Sequence, residues 1–299
     1  MMPTRFDCLI VGGGPAGLMA AIYLARFRRS VCVADAGASR AALIPRSHNV
    51  PGFVHGLSGA DLIARMSAQS GELAVARVEA EVTALQRRDG GFRAIWHGGT
   101  LEATTVILAS GIVDIHPPFE QWRAAVADGL LRYCPVCDAY EAIDRRIGIV
   151  GPLRRAASKA LFLRGYSREV TLLATEEDHD ESARSELAEA GVEIVFAPGL
   201  RLRRRVGGLE AVFADGRTMQ FDTVYPAMGA EVRSQLAVSL GAEHTGEGYL
   251  KVDDHLRTSV DGLYGIGDVV TDLHQISVAF GHAALSACTI HHSLPRRLA

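Results

Sequence analysis

The chain has 299 residues, enough for two domains, and 48% are hydrophobic, so it can bury a sizeable core and is not a disordered polypeptide. A formal net charge of −3 argues against a general nucleic-acid binder. Five cysteines, an odd number with Cys8, Cys32 and Cys288 in apolar segments, argue against a secreted disulfide scaffold.

Phe6 to Val11 reads as a buried parallel strand, followed at once by Gly12-Gly13-Gly14-Pro15-Ala16-Gly17. Leu18 to Phe27 is an alanine-rich helix. Ser30 to Ala34 is a second strand, ending at Asp35. Strand, glycine turn, helix, strand and acid are the parts of a dinucleotide-binding βαβ unit. Gly12 allows the tight turn, Gly14 lets a pyrophosphate approach the backbone, and Gly17 lets the helix pack close to the strand. Asp35 is placed to accept from ribose hydroxyls and would repel a 2′-phosphate. Ala36 to Arg40 leads into a loop rich in Gly, Pro and Asn that ends at His48 to Phe53, a surface or cofactor-lining loop.

Gly59 to Leu73 has helical spacing. Ala74 to Leu85, Phe92 to Trp96 and Leu101 to Glu102 read as short strands. Thr105 to Ala109 is a buried strand that stops at Ser110-Gly111. Ile115-His116-Pro117-Pro118 reads as a domain boundary. Next comes Cys134-Pro135-Val136-Cys137-Asp138. Two cysteines at this spacing can close a small disulfide, or sit at a helix start where unpaired N–H groups favour a thiolate. Zinc is not expected, because a structural site needs four ligands and no second Cys-x-x-Cys exists.

A second βαβ unit follows: strand Arg146 to Val150, helix Arg154 to Arg164 and strand Glu169 to Leu173. Its turn, Gly151-Pro152-Leu153-Arg154-Arg155-Ala156, has the position of a phosphate loop without its chemistry. Leu153 is read at the second glycine position, and Pro152 removes an N–H donor. Ala174-Thr175-Glu176-Glu177-Asp178 offers acids where a 2′-phosphate wants arginines. Ser182 to Ala190 is read as a helix and Val192 to Phe196 as a strand. Arg201 to Arg205, with four arginines, is read as a solvated loop. Leu209 to Phe213 and Thr218 to Phe221 form a hairpin, and Thr223 to Ala227 and Tyr249 to Val252 are strands. Asp261 to Asp268 is turn, strand and exposed acid, and Gln275 to His292 is a helix with a solvated end at His291-His292. The fold class is α/β: two three-layer, Rossmann-like domains. One comprises 1–117 and 245–299; the other, 118–244, is inserted into it. No apolar run reaches the roughly 18 residues of a membrane span. Met1 to Asp7 lacks a signal-peptide pattern, so a cytoplasmic protein with no membrane partner is expected.

The chain resembles the low-molecular-weight thioredoxin reductase family of flavoproteins. The likeness rests on Gly12 to Gly17, Ser110-Gly111, Cys134 to Asp138 and Gly267-Asp268, in that order. It implies FAD in the outer domain and a homodimer. It assigns Gly12, Gly14, Pro15, Ala16 and Gly17 to the pyrophosphate, Asp35 with Ala36 and Arg40 to the adenosine side, and Val82, through its backbone, to the adenine. Asn49 and His274-Gln275-Ile276 would lie by the flavin, Ser110-Gly111 in the same cofactor site, and Asp268 after Gly267 would hold the ribityl chain or pyrophosphate. His274 stands where the family has Arg. The family's NADPH motifs are replaced by Gly151 to Ala156 and Ala174 to Glu176, so NADPH is doubtful. A ferredoxin-type donor, for which Arg203 to Arg205 would be a patch, or a second flavin is considered instead.

The chemistry implied is electron exchange between flavin and the Cys134–Cys137 disulfide. Cys137 faces the flavin and Cys134 attacks a thioredoxin-like protein or small disulfide. Asp138 would protonate the departing thiolate if burial raises its pKa. Two alternatives are a dithiol oxidase passing electrons to oxygen and a non-catalytic flavin redox sensor.

Overall fold

The computed structural model describes residues 5–296. The chain forms two compact units. The first comprises Met1–Ala42, Ser58–Val113 and Glu231–Ala299, and the second Leu43–Leu57 and Asp114–Ala230. In chain order the first unit opens with β1 (Phe6–Val11), α1 (Pro15–Arg26), β2 (Val31–Asp35), α2 (Gly59–Glu72), β3 (Ala76–Glu79), β4 (Val82–Arg88), β5 (Gly91–Trp96) and β6 (Gly99–Leu108). After β7 (Ile112–Asp114) come α3 (Trp122–Ala127), α4 (Pro135–Asp138), β8 (Ile147–Gly151), α5 (Leu153–Arg164), β9 (Val170–Ala174), α6 (Glu181–Glu189) and β10 (Glu193–Phe196). The second unit continues with β11 (Arg201–Arg205), β12 (Gly208–Val212), β13 (Thr218–Phe221) and β14 (Thr223–Pro226). β15 (Ala230–Val232), α7 (Gln235–Val238), β16 (Leu263–Gly265) and α8 (Ile276–Ser293) complete the chain.

The sheet of the first unit runs β3-β2-β1-β6-β5-β4, with β16 also on β6. β6 is one continuous strand where the sequence suggests two. Its first half pairs antiparallel with β5, and its second half pairs in parallel with β1 and β16. The parallel centre is covered on both faces, so β1 is apolar almost throughout. α1 can pack closely because its buried residues are mostly small, among them Ala16, Gly17, Ala20 and Ala21. A Cβ on Gly17 would collide with the carbonyl of Gly12. α8 buries Ala279, Ala283, Ala287 and Ile290, a single helical face, against this core. Its end is not simply solvated. The buried Arg29 donates to Nδ1 of His291 at 3.2 Å and to the carbonyls of His291 and Pro295 at 2.9 Å each.

The second unit holds a parallel sheet in the order β10-β9-β8-β14 and an antiparallel sheet β11-β12-β13. Ile147, Ile149, Leu153, Leu163, Leu172 and Tyr225 pack between α5 and the parallel sheet. Two sequence expectations fail locally. Arg201 to Arg205 is the strand β11, not a loop, because Leu202 is buried and Arg203 lies opposite Glu210 in the ladder. Arg203 and Arg205 both pair with the buried Glu210, and Arg204 pairs with Asp128, so much of the cluster's charge is answered locally. Tyr249 to Val252 is not a strand; a single bridge between His244 and Leu250 takes its place. Among the described residues no helix is long and apolar enough to cross a membrane.

Leu153 is fully buried at the start of α5. Leu153→Ala should cost about 2–5 kcal/mol through lost burial and a residual cavity. Denaturant unfolding of the purified variant measures it, and a cost below about 1 kcal/mol would contradict the packing described.

Candidate active site

The Cys134–Cys137 pair lies in the second unit and is a disulfide, with Cα atoms 5.3 Å apart. Cys134 caps α4 and Pro135 opens it, with its fixed φ suited to a first helical position. The turn closes through Cys137 N–H to the Cys134 carbonyl at 2.9 Å and Ala139 N–H to the Pro135 carbonyl at 2.9 Å. The segment leading in is laced to β14. Arg132 N–H donates to the Val224 carbonyl at 2.9 Å, and Val224 N–H donates to that of Leu130 at 2.8 Å. Lys159, on α5, donates to the Tyr133 carbonyl at 3.0 Å and to the Pro226 carbonyl at 2.6 Å. The Tyr133 hydroxyl meets His116 Nδ1, and His116 stacks on Trp122 at 3.7 Å.

Asp138 follows the second cysteine. Its Oδ2 lies 3.2 Å from Arg132 Nη1, and its Oδ1 accepts from the Tyr225 hydroxyl at 2.9 Å. Burial pushes the Asp138 carboxyl above its ordinary range; Arg132 and Tyr225 pull it back, and Glu141 adds to the rise. Burial also pushes the Tyr225 hydroxyl far above its ordinary range. A carboxyl raised in this way, one residue after a disulfide cysteine, has the chemistry of an acid toward a departing thiolate. The sequence points to Asp138 but not to Arg132, Tyr225 or Lys159. One signal was available: a tyrosine inside the apolar strand Thr223–Pro226 needs a partner for its hydroxyl.

In the first unit the glycine turn has the form of a dinucleotide cradle. Gly12 has φ +111°, and a Cβ there would strike the Ala109 carbonyl and come within 3.2 Å of Ser110 N. Gly14 caps α1, Pro15 is its first residue, and no side chain caps that end. A Cβ on Gly13 would run into the Asp35 carboxylate, so the acid lies against the turn. Asp35 accepts from Gly37 N–H at 3.1 Å and lies 3.7 Å from Arg77; Ala36 between them is exposed. Arg40 lies 3.8 Å from Asp268, and a Cβ on Gly267 would come within 3.0 Å of the Ala16 methyl. Gly12, Gly14, Pro15, Ala16, Gly17, Asp35, Ala36, Arg40, Ser110, Gly267 and Asp268 therefore form one cluster. Gly111 follows Ser110 and accepts from Arg233 N–H at 3.0 Å. Val82 opens β4 two residues after Ala80, whose N–H donates to the Asp35 carbonyl at 3.1 Å. Gln275 caps α8 and Ile276 begins it; His274 Nε2 lies 3.2 Å from the Tyr249 hydroxyl. Asn49 accepts from Ser47 Oγ at 2.8 Å and belongs to the second unit. A turn open to a pyrophosphate, a bare helix start and an acid at the strand end fit FAD.

The second turn differs in length as well as chemistry. Ala109 N–H bonds the Val11 carbonyl at 2.9 Å, and Ala227 N–H bonds that of Val150 at 2.7 Å. Gly151 therefore occupies the place of Gly12. From Gly12 to its helix cap is two residues; from Gly151 to Pro152, which caps α5, is one. The expectation that Leu153 stands in the loop is corrected: it is the first residue of α5, and its side chain is drawn into the core, where apolar surface leaves water. Register locates a further change. Val11 pairs with Ala34 and Val150 with Leu173, so Ala174 stands where Asp35 stands in the first site. Of the acids beyond, Asp178 is engaged by Arg154 at 3.2 Å.

The sequence pattern of the pyridine nucleotide-disulphide oxidoreductases matches residues 6–283. The chain belongs to this family. Thioredoxin reductase of Mycolicibacterium smegmatis is 30% identical over 315 residues, covering 99% of this chain and 97% of the relative. The solved structure of HlmI superimposes with a TM-score of 0.88 at 26% identity, covering 96% of this chain and 92% of the other. Thioredoxin reductase of Streptococcus pyogenes does so with a TM-score of 0.86 at 25% identity, covering 97% and 98%. The protein is thus a thioredoxin-reductase-like oxidoreductase of two Rossmann-like domains, and its family implies FAD. Among the described residues no group of three or more His, Cys, Asp or Glu could hold a metal ion.

The remaining thiols are separated by environment. Burial pushes Cys8 up to about 12 and Cys32 up to about 11, whereas Cys288 is half-buried. Raised thiols stay protonated and inert at pH 8. Iodoacetamide at that pH should modify one cysteine in the oxidised native protein, Cys288, and three after mild reduction. Intact-mass spectrometry counts them; early labelling of Cys8 would contradict the burial.

Proposed function

We propose that this oxidoreductase exchanges two electrons between FAD and the Cys134–Cys137 disulfide, and between that pair and a thioredoxin-like protein or small disulfide. Its electron donor is other than NADPH. The observation that carries the donor reading is the second turn, one residue shorter and with proline at the cap; the strand after it leads into Glu176-Glu177-Asp178, acids where a 2′-phosphate wants arginines. A ferredoxin-type protein or a second flavin is the donor class this leaves. FAD, when bound, supplies or accepts the electron pair. Gly12, Gly14 and Gly17 admit its pyrophosphate, Asp35 its ribose, and Asp268 its linking chain. Cys134 takes the partner's sulfur, Cys137 exchanges electrons with the cofactor, and Asp138 protonates the sulfur that leaves.

The same loss of a nicotinamide site suits the opposite direction, a dithiol oxidase that passes electrons to oxygen. Oxygen uptake with a small dithiol, absent in Cys137→Ser, would favour that direction.

Mixing the FAD-loaded enzyme with NADPH under anaerobic conditions should leave the flavin oxidised, while dithiothreitol bleaches it. Rapid bleaching by NADPH, with steady reduction of thioredoxin, would remove the donor assignment. The acid role has its own signature. A raised Asp138 is protonated at low pH and loses its proton as pH climbs through its pKa, so exchange slows on the alkaline side. Asp138→Asn should slow exchange about 100-fold below that limb and flatten the limb, measured by stopped-flow across pH 5 to 9.

A further inference from the structure

Asp138 follows Cys137 directly in the chain, and both of its carboxylate oxygens are engaged. Arg132 holds Oδ2 at 3.2 Å and the Tyr225 hydroxyl holds Oδ1 at 2.9 Å. Both donors are placed by one backbone device. Leu131 bridges Val224 in parallel, so the next residue of each segment, Arg132 and Tyr225, stands side by side with its neighbour. One residue further along, Lys159 ties the Tyr133 and Pro226 carbonyls together. Arg132 is also steadied by its Nε, which donates to the Gly129 carbonyl at 2.9 Å. Tyr225 is fully buried, so its hydroxyl cannot turn to bulk water.

We infer that Arg132 and Tyr225 are positioning residues for disulfide exchange: by holding one oxygen of Asp138 each, they set the pH above which it has no proton to give the Cys134–Cys137 pair. The inference rests on Asp138 acting as the acid. In the step concerned, an incoming thiolate attacks one sulfur and the S–S bond breaks. The departing sulfur keeps the bonding pair and takes the Asp138 proton. The product is a mixed disulfide, a thiol and the Asp138 carboxylate, which solvent reprotonates. That carboxylate is the species the two donors stabilise, against the burial that disfavours it. A further charged group acting on it is Glu141, which follows α4 and opposes ionisation; Lys159 from α5 spends its ammonium on the Tyr133 and Pro226 carbonyls.

The readout is the infrared band of the protonated carboxyl that Asp138→Asn removes, titrated in the FAD-loaded, oxidised enzyme. Arg132→Gln should move its midpoint up by about one pH unit or more, the size expected when a carboxylate loses an adjacent guanidinium. Arg132→Lys, which keeps the charge, should return it most of the way. Tyr225→Phe removes only the hydroxyl and should move the midpoint the same way by less. It preserves the buried ring, so it carries the test even where Arg132→Gln folds poorly. The alkaline limb of exchange should follow the band, so both variants gain rate relative to wild type on that side. A packing role alone would slow exchange at every pH. A band that neither variant moves overturns the inference even if Asp138→Asn flattens the limb, which separates its failure from failure of the acid role.

Discussion

A carboxylate cannot be carried out of water without groups to meet it. In the second unit that constraint falls on Asp138. The Asp138 side chain keeps 23% of its surface exposed; its partial burial raises the carboxyl, and the ion needs donors to exist. Arg132 and Tyr225 supply those donors and pull the carboxyl back against the rise. The balance is geometric. Both donors come from segments already fixed to each other by the backbone bonds of Leu130, Arg132 and Val224. The redox turn thus inherits its stiffness from the parallel sheet through β14, while its own helix has only four residues.

Much of this was legible in the chain. Gly12 to Gly17 with Asp35 announced the first βαβ unit because glycine spacing, strand and acid are all local in sequence. The disulfide was legible for the same reason: two cysteines three residues apart are brought together by one turn. What escaped was long-range. Arg132 and Tyr225 are 93 residues apart and meet only because β14 lies beside the segment before the cysteines. The arginines of β11 looked like a solvated loop because their partners, Glu210 and Asp128, lie on other elements.

The second turn shows a different limit. Its chemistry was readable, since Pro152 and Leu153 are poor residues for cradling a phosphate. Its length was not, because six letters from Gly151 to Ala156 align without a gap to a glycine motif. Only the bonds of Val150 and Ala227, set beside those of Val11 and Ala109, reveal that the helix begins a residue sooner. The early start of α5 places Leu153, its first residue, in the core, where it is fully buried.

The short second turn is therefore more than one substitution away from the longer first one. Glycines placed at 152 and 153 would restore the letters of a cradle but would empty the core position that Leu153 fills. Single-base changes swap side chains and do not lengthen a loop. A turn as long as that from Gly12 to Gly14 would need an inserted residue together with a retained apolar plug, a double change that no single substitution supplies.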